Sequence, residues 1–206
     1  MLRTKMNDIF TWLNPPALWH CRPGELVVRT DDKSDFWRKT EYGFIRDNGH
    51  FRFRTVSGDF SAEVAFSGQY QTLYDQAGLM LRLDPNRWIK TGIEFVNDTM
   101  QFSTVVTNDA SDWSLAPYVG STAGAPVRAK LTRRGSTIST AFLLADGRWQ
   151  TVRVASFPAE PITQVGVMCC SPQRAGFDVR FTNFSVSSAS AVDSTQWSEV
   201  GPVFGQ

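Results

Sequence analysis

The chain has 206 residues, enough for one sizeable domain that removes roughly 70% of its unfolded surface from water. Lysine plus arginine number 21 and aspartate plus glutamate 20, so a net charge of +1 gives no electrostatic footprint for nucleic acid or an anionic membrane. No run approaches the roughly 20 apolar residues of a membrane-spanning helix, and the opening MLRTKMNDIF lacks the apolar stretch of a secretory signal.

There are three cysteines, Cys21, Cys169 and Cys170. The count is odd and two are adjacent, so no disulfide framework is implied and all three thiols are expected to be free. Adjacent cysteines do not match zinc-site spacing, and histidine is limited to His20 and His50. No metal and no cofactor is expected. A reducing, cytoplasmic location follows as the expectation.

Helical periodicity is nearly absent along the chain. Short runs rich in Val, Ile, Phe and Thr are bounded by Gly, Asp, Asn and Pro, the pattern of many short antiparallel strands. Residues 7–20 open the domain, interrupted by Asn14-Pro15-Pro16. Residues 25–30 read as a strand, and 30–43 as a polar loop with Trp37 embedded. Residues 51–56 alternate, with Phe51 and Phe53 inward and Arg52 and Arg54 outward. A Gly58-Asp59 turn leads into a strand at 60–67.

The central stretch, 70–95, reads as two strands and a tight loop. Side chains alternate faces with period 2. Ala77, Leu79, Leu81 and Leu83 therefore oppose Gln76, Gly78, Met80 and Arg82. In the second strand Ile89, Thr91, Ile93 and Phe95 oppose Trp88, Lys90, Gly92 and Glu94. A one-residue slip flips every side chain, so matching the apolar faces selects one register. It pairs Arg82 with Trp88, Met80 with Lys90, Gly78 with Gly92 and Gln76 with Glu94. Asp84-Pro85-Asn86 then fall in a five-residue loop. The facing glycines leave a bare floor between charged and aromatic groups, and a strand glycine marks close approach by a ligand or another backbone. The same residues also fit an ordinary solvent face carrying a Lys90–Glu94 pair.

Residues 101–107 continue the pattern, with Phe102, Thr104 and Val106 on the apolar side and Ser103, Val105 and Thr107 on the polar side. Ser111-Asp112-Trp113-Ser114 follows as a loop, then a Gly/Ala/Ser/Pro-rich loop at 120–126. Strands at 127–133 and 137–144 flank Arg134-Gly135. Asp146-Gly147 is a hairpin signal before 149–157. Strands at 165–170 and 179–187 close the domain. About a dozen strands and no helix point to a two-sheet sandwich. The domain is placed at 1–187, with a pattern-poor tail at 188–206.

The segments NPPALW (14–19), DFWRKTEYGFIRDNGHF (35–51), YDQAGLMLR (74–82), WIKTGIEF (88–95), SDWS (111–114), DGRW (146–149) and VGVMCCSP (165–172) occur in this order. Together they resemble the family called domain of unknown function 1349, also labelled regulation-of-enolase-like, over residues 8–187. The resemblance implies an all-β, concanavalin A-like jelly-roll sandwich of two antiparallel sheets, in the lectin/glucanase superfamily. It implies carbohydrate binding or cleavage on the concave sheet, and no agreed activity comes with the family.

Sugar sites need flat aromatics for the ring and planar polar groups for its hydroxyls. Trp37, Trp88, Trp113 and Trp149 are the candidate platforms. Arg38, Gln76, Arg82, Lys90, Glu94 and Asp112 are the candidate hydroxyl partners. A glycosidase needs two carboxyls, and Glu94 with Asp112 is the candidate pair, Asp75 being assigned by parity to a structural role on the core side. Ser111 or Ser114 with His50 has no supporting pattern. The loop acids Asp31-Asp32 and Asn108-Asp109 match no Ca²⁺ pattern. A lectin-like domain is the leading expectation. A glycoside hydrolase and a protein-binding regulator are the alternatives.

Overall fold

The computed structural model describes residues 10–119 and 125–189. The tail from 190 and most of the 120–126 loop lie outside these residues. Among the described residues the structure is all strand. In chain order the strands are β1 Thr11–Leu13, β2 Leu18–Arg22, β3 Glu25–Arg29, β4 Phe36–Arg38, β5 Ile45–Asp47, β6 His50–Ser57, β7 Phe60–Gly68 and β8 Gln76–Asp84. They continue with β9 Arg87–Val96, β10 Thr99–Asn108, β11 Ala110–Pro117, β12 Val127–Arg134, β13 Thr137–Leu143, β14 Trp149–Ser156, β15 Ile162–Cys170 and β16 Asp178–Ser188. The first sheet runs β1-β6-β15-β8-β9-β10-β11 and the second β14-β13-β12-β7-β16-β3-β2. Pairing is antiparallel throughout, and β4 and β5 form a separate hairpin.

The core lies between the sheets. Ala77, Leu79, Leu81, Ile89 and Ile93 from the first sheet meet Ala62, Val64, Phe66, Ala129, Leu131 and Phe142 from the second. Each fully buried leucine or isoleucine contributes about 1.5–3 kcal/mol. Thr91 also faces inward, and its hydroxyl donates to the Ser103 carbonyl at 3.1 Å. A chain of hydroxyls, Thr140 to Thr104 at 3.0 Å and Thr104 to Thr91 at 2.9 Å, then links the two sheets without an unpaired buried group.

The register of the central hairpin is the one the apolar pattern selects: Gln76 pairs with Glu94, Gly78 with Gly92, Met80 with Lys90 and Arg82 with Trp88. The loop is tighter than five residues. Leu83 bulges out of the ladder, Asp84 pairs with Arg87, and the Asp84 carboxylate accepts the Asn86 and Arg87 amides at 2.8 and 2.9 Å. Phe95 is only half-buried and stands outside the core cluster. Arg52 does not point away from the protein. It shares its inter-sheet face with Val167, and its guanidinium lies 5.2–5.9 Å from the Phe10, Trp12 and Trp19 rings at the open end of the sandwich.

Two stretches expected as loops are strands. Residues 30–43 contain β4, which pairs with β5 and crosses the outer face of the first sheet. Ser111–Ser114 lies within β11, because the Asn108-Asp109 turn, with Asp109 at φ +63°, folds the chain back onto β10 at once. Cys169 enters the core and Cys170 the opposite face, both as free buried thiols; Cys21 is free and exposed.

Candidate functional site

The outer face of the first sheet carries a second apolar cluster rather than a bare solvent surface. Met80, Trp88, Val105, Met168 and Cys170 rise from the sheet, and Phe36 and Trp37 close over them from the β4–β5 hairpin. Trp88 is fully buried, its ring 6.1 Å from Phe36, so it is not a sugar platform. Arg82 is buried beside it and binds both Asp47 carboxylate oxygens at 2.7 Å. The hairpin is therefore pinned to the sheet and closes part of the face expected to be open.

The facing glycines answer to backbone approach rather than to a ligand. A Cβ on Gly78 would come within 2.0 Å of the Thr91 carbonyl oxygen, and one on Gly92 within 2.1 Å of the Ala77 oxygen. The gap over Gly92, lined by Gln76, Lys90, Glu94, Ser103 and Met168, has no volume for a ligand.

What stays open is a cavity of about 420 Å³ at the Gln76–Glu94 end of the hairpin. That is within the range of small-molecule sites, roughly 300–1,000 Å³. Trp37, Tyr42, Phe44, Tyr74 and Trp113 form its aromatic walls, with Gln76, Lys90 and Glu94 on its floor and Lys33, Asp35, Arg46, Pro172 and Gln173 completing the lining. The Trp37 and Trp113 rings meet edge to face at 6.2 Å, and Tyr74 meets Trp113 the same way at 6.2 Å. Trp37 is held by its indole N–H, which donates to the Thr40 carbonyl at 2.8 Å. Three left-handed residues, Lys39, Glu41 and Gly43, shape the tip of the β4–β5 hairpin that presents Tyr42 and Phe44.

Lys90 and Glu94 are both buried, but Lys90 takes its ion pair from Asp35 at 3.4 Å and donates to the Phe36 carbonyl at 2.7 Å. The Trp113 indole N–H donates to Glu94 at 3.0 Å and to the Ser103 hydroxyl at 3.1 Å. Burial pushes the Glu94 carboxyl above its ordinary range, against the nearby Lys90 charge and the hydrogen bonds from Ser103 and Trp113. The Tyr42 and Tyr74 hydroxyls are 3.1 Å apart, and that contact, with some burial, pushes Tyr74 up to about 12. The Tyr74 phenol therefore stays protonated at neutral pH.

Of the residues proposed from sequence, Trp37, Gln76, Lys90, Glu94 and Trp113 converge on this cavity. Four do not. Trp88 and Arg82 lie under the hairpin, and Arg38 reaches away to the Asp109 carbonyl at 3.3 Å. Asp112 pairs with Val106, which packs toward the core, so it sits on the opposite face of the sheet from Glu94. There it forms an exposed ion pair with Arg153 at 2.7 Å. The Glu94–Asp112 dyad is not assembled. Trp149 belongs to the second sheet, under Lys130 at 4.1 Å.

The remaining candidates are structural. His50 is buried, its Nε2 accepting the Asp31 amide at 3.0 Å and its Nδ1 donating to the Asn14 carbonyl at 2.8 Å, as one neutral tautomer allows. The Ser111 hydroxyl accepts the Arg38 amide and Ser114 donates to the Thr104 carbonyl. Asp75 is buried against Arg174 at 2.6 Å, on the core side as its parity required. No group of three or more metal-ligating side chains occurs among the described residues. Lys33, Asp35, Tyr42, Phe44, Arg46, Tyr74, Pro172 and Gln173 are the lining residues that sequence reasoning missed. Their one signal is the alternation Tyr42, Phe44, Arg46, which puts three large side chains on one face of the β5 arm.

This fold and this cavity define an all-β jelly-roll sandwich of two antiparallel sheets, with an aromatic pit at one end of its first sheet. The chain belongs to the family described as protein of unknown function (DUF1349), which matches residues 12–189. It is 40% identical to "Regulation of enolase protein 1" of Saccharomyces cerevisiae over 86% of this chain and 89% of that protein. It is 31% identical to an uncharacterized protein of Emericella nidulans over 84% of this chain and 90% of that one. A crystal structure of a functionally unknown S. cerevisiae protein superposes with a TM-score of 0.84 at 38% identity, covering 88% of this chain and 97% of that one. Two more distant structures share the fold alone. A carbohydrate-binding module, CBM66, from Bacillus subtilis has a TM-score of 0.53 at 15% identity, covering 86% of this chain and 95% of that one. A glycoside hydrolase family 43 protein from Bacillus licheniformis has a TM-score of 0.65 at 16% identity, covering 87% of this chain and 37% of that protein.

Proposed function

We propose that the cavity recognises a saccharide and that the protein is a lectin-like binding module of the cytoplasm. The observation that carries this reading is the pairing of an aromatic wall, Trp37, Tyr74 and Trp113, with a floor of ordered polar groups, Gln76, Lys90 and Glu94. Apolar ring faces meet the aromatic wall, and hydroxyls meet groups already held in place, which lowers the ordering cost of binding. The fold shared with a carbohydrate-binding module supports it. The buried adjacent thiols Cys169 and Cys170 fit a reducing compartment.

Hydrolysis is less well supported. Glu94 has the raised affinity for a proton that a general acid needs, but Asp112 faces the other way and Asp35 is engaged by Lys90. A specific observation favours a second reading, protein binding: Tyr42, Phe44 and Ile45 on the hairpin are all exposed.

A thermal-shift screen against mono- and oligosaccharides, repeated on Trp113→Ala and Glu94→Gln, tests the proposal. Binding should be weak for single sugars, be lost in Trp113→Ala and survive in Glu94→Gln. Turnover that disappears in Glu94→Gln would move the hydrolase forward. No response to any sugar would move the protein-partner reading forward.

A further inference from the structure

The cavity is charged unevenly. Lys33, Arg46 and Lys90 line it against Asp35 and Glu94, so its cations exceed its carboxylates by three to two. Their positions differ as much as their number. Lys90 and Asp35 satisfy each other at 3.4 Å deep in the site. Glu94 is on the floor, against Trp113. Lys33 and Arg46 stand on the hairpin side and are exposed. Among the described residues Lys33 pairs with Asp32 alone, a loose 4.0 Å contact, and Asp32 is itself exposed. Arg46 packs its guanidinium over the Phe44 ring at 5.5 Å, and no carboxylate among the described residues pairs with it. A guanidinium lying over an aromatic face keeps its N–H groups for another acceptor.

Resting on the saccharide reading above, we infer that the ligand is an anionic sugar. Its ring lies against Trp113 with hydroxyls toward Glu94, and its phosphate or carboxylate lies between Lys33 and Arg46. A neutral sugar would leave those two cations solvated and gain nothing from them. An acidic sugar uses both ends of the site: a guanidinium fork matches carboxylate and phosphate geometry, and the neighbouring ammonium adds a point charge. The order of groups, carboxylate on the floor and cations at the mouth, also sets the direction of entry, anion last. An acidic group driven toward Glu94 would meet like charge.

Isothermal titration with glucose, glucose 6-phosphate and glucuronate tests this on the wild type, Arg46→Gln and Lys33→Gln. Both residues are exposed, so the variants should fold as the wild type does. The wild type should prefer an anionic sugar over glucose by about tenfold or more, as one useful ion pair at a partly desolvated site supplies. That preference should shrink at high salt and in both variants, while affinity for glucose stays level. Which anion wins separates a phosphosugar from a uronate, and either supports the inference. Equal binding of glucose and both anions, or a preference unmoved by Arg46→Gln and Lys33→Gln, overturns it and leaves the saccharide reading standing. No binding of any of the three, alongside no response in the wider sugar panel, overturns both.

Discussion

The Arg82 guanidinium holds the Asp47 carboxylate through two parallel hydrogen bonds of 2.7 Å, across 35 residues of sequence. Arg82 comes from the sheet and Asp47 from the hairpin that covers it. The arginine side chain is 5% exposed and the aspartate 31%. Asp47→Asn leaves the guanidinium buried without its counter-charge and should cost roughly 2–4 kcal/mol, somewhat below a fully buried pair because water reaches Asp47. Arg82→Met removes the buried charge instead and should cost less. Urea unfolding of both variants checks the order, and equal losses would mean the pair matters only through packing.

Trp88 and Trp113 share the outer face of the first sheet but are opposite in role. Trp88 is fully buried beneath Phe36, so Trp88→Ala should cost about 3–5 kcal/mol. Trp113 is half-buried at the cavity wall, and Trp113→Ala should cost clearly less while removing part of that wall. Melting curves of the two variants, side by side, decide this.

Gly78→Ala should destabilise by about 3 kcal/mol or more, because the added methyl would stand 2.0 Å from the Thr91 carbonyl oxygen with rigid backbone on both sides. Gly58→Ala is the control for space alone, since nothing lies within 4 Å of a Cβ there, although its φ of +69° carries its own smaller cost. Similar losses at the two positions would show that the strands can separate freely.

Burial raises the Glu94 carboxyl above the ordinary value of 4.5. Between that value and its folded one, the native state holds a proton that the unfolded chain has released. Stability from this group therefore falls as pH rises through that window and levels off above it. Glu94→Gln does not titrate. The Tm of the variant minus that of the wild type should grow as pH is raised from 4.5 and then become constant. A difference that is flat, or that narrows, would contradict the burial of this carboxyl.

A thiol reagent should modify Cys21 in the native protein and all three cysteines after unfolding. Cys21 is exposed, while burial pushes the Cys169 and Cys170 thiols up and shields them. Fewer than three thiols in the unfolded protein would indicate a disulfide.

The register of the central hairpin was legible because Leu79, Leu81, Ile89 and Ile93 make one face of two strands apolar, and a slip would expose them all. The same parity put Asp75 on the core side and Lys90 with Glu94 on the other. What covers that second face was not legible. Phe36 and Trp37 are an apolar pair in a polar segment, and their partners Met80 and Trp88 lie more than forty residues away, beyond any local period. Asp112 misled for a related reason. Serines and an aspartate around Trp113 look like a loop, yet an edge strand exposed on one side tolerates that composition. The glycine pair offered two readings, ligand or backbone approach, and only the strand spacing distinguishes them.

On the saccharide reading, the hairpin that buries Trp88 would also set what length of ligand the sheet can take. A groove open at both ends cradles the middle of a polymer, with units extending past each rim. Here Phe36 and Trp37 block one direction, anchored by Lys90 and Arg82. A ligand entering the remaining pit would then do so by its tip, so recognition would read a terminal unit and ignore how many follow it. Affinity would then plateau after the first residue or two, where an open cleft would gain with every added unit.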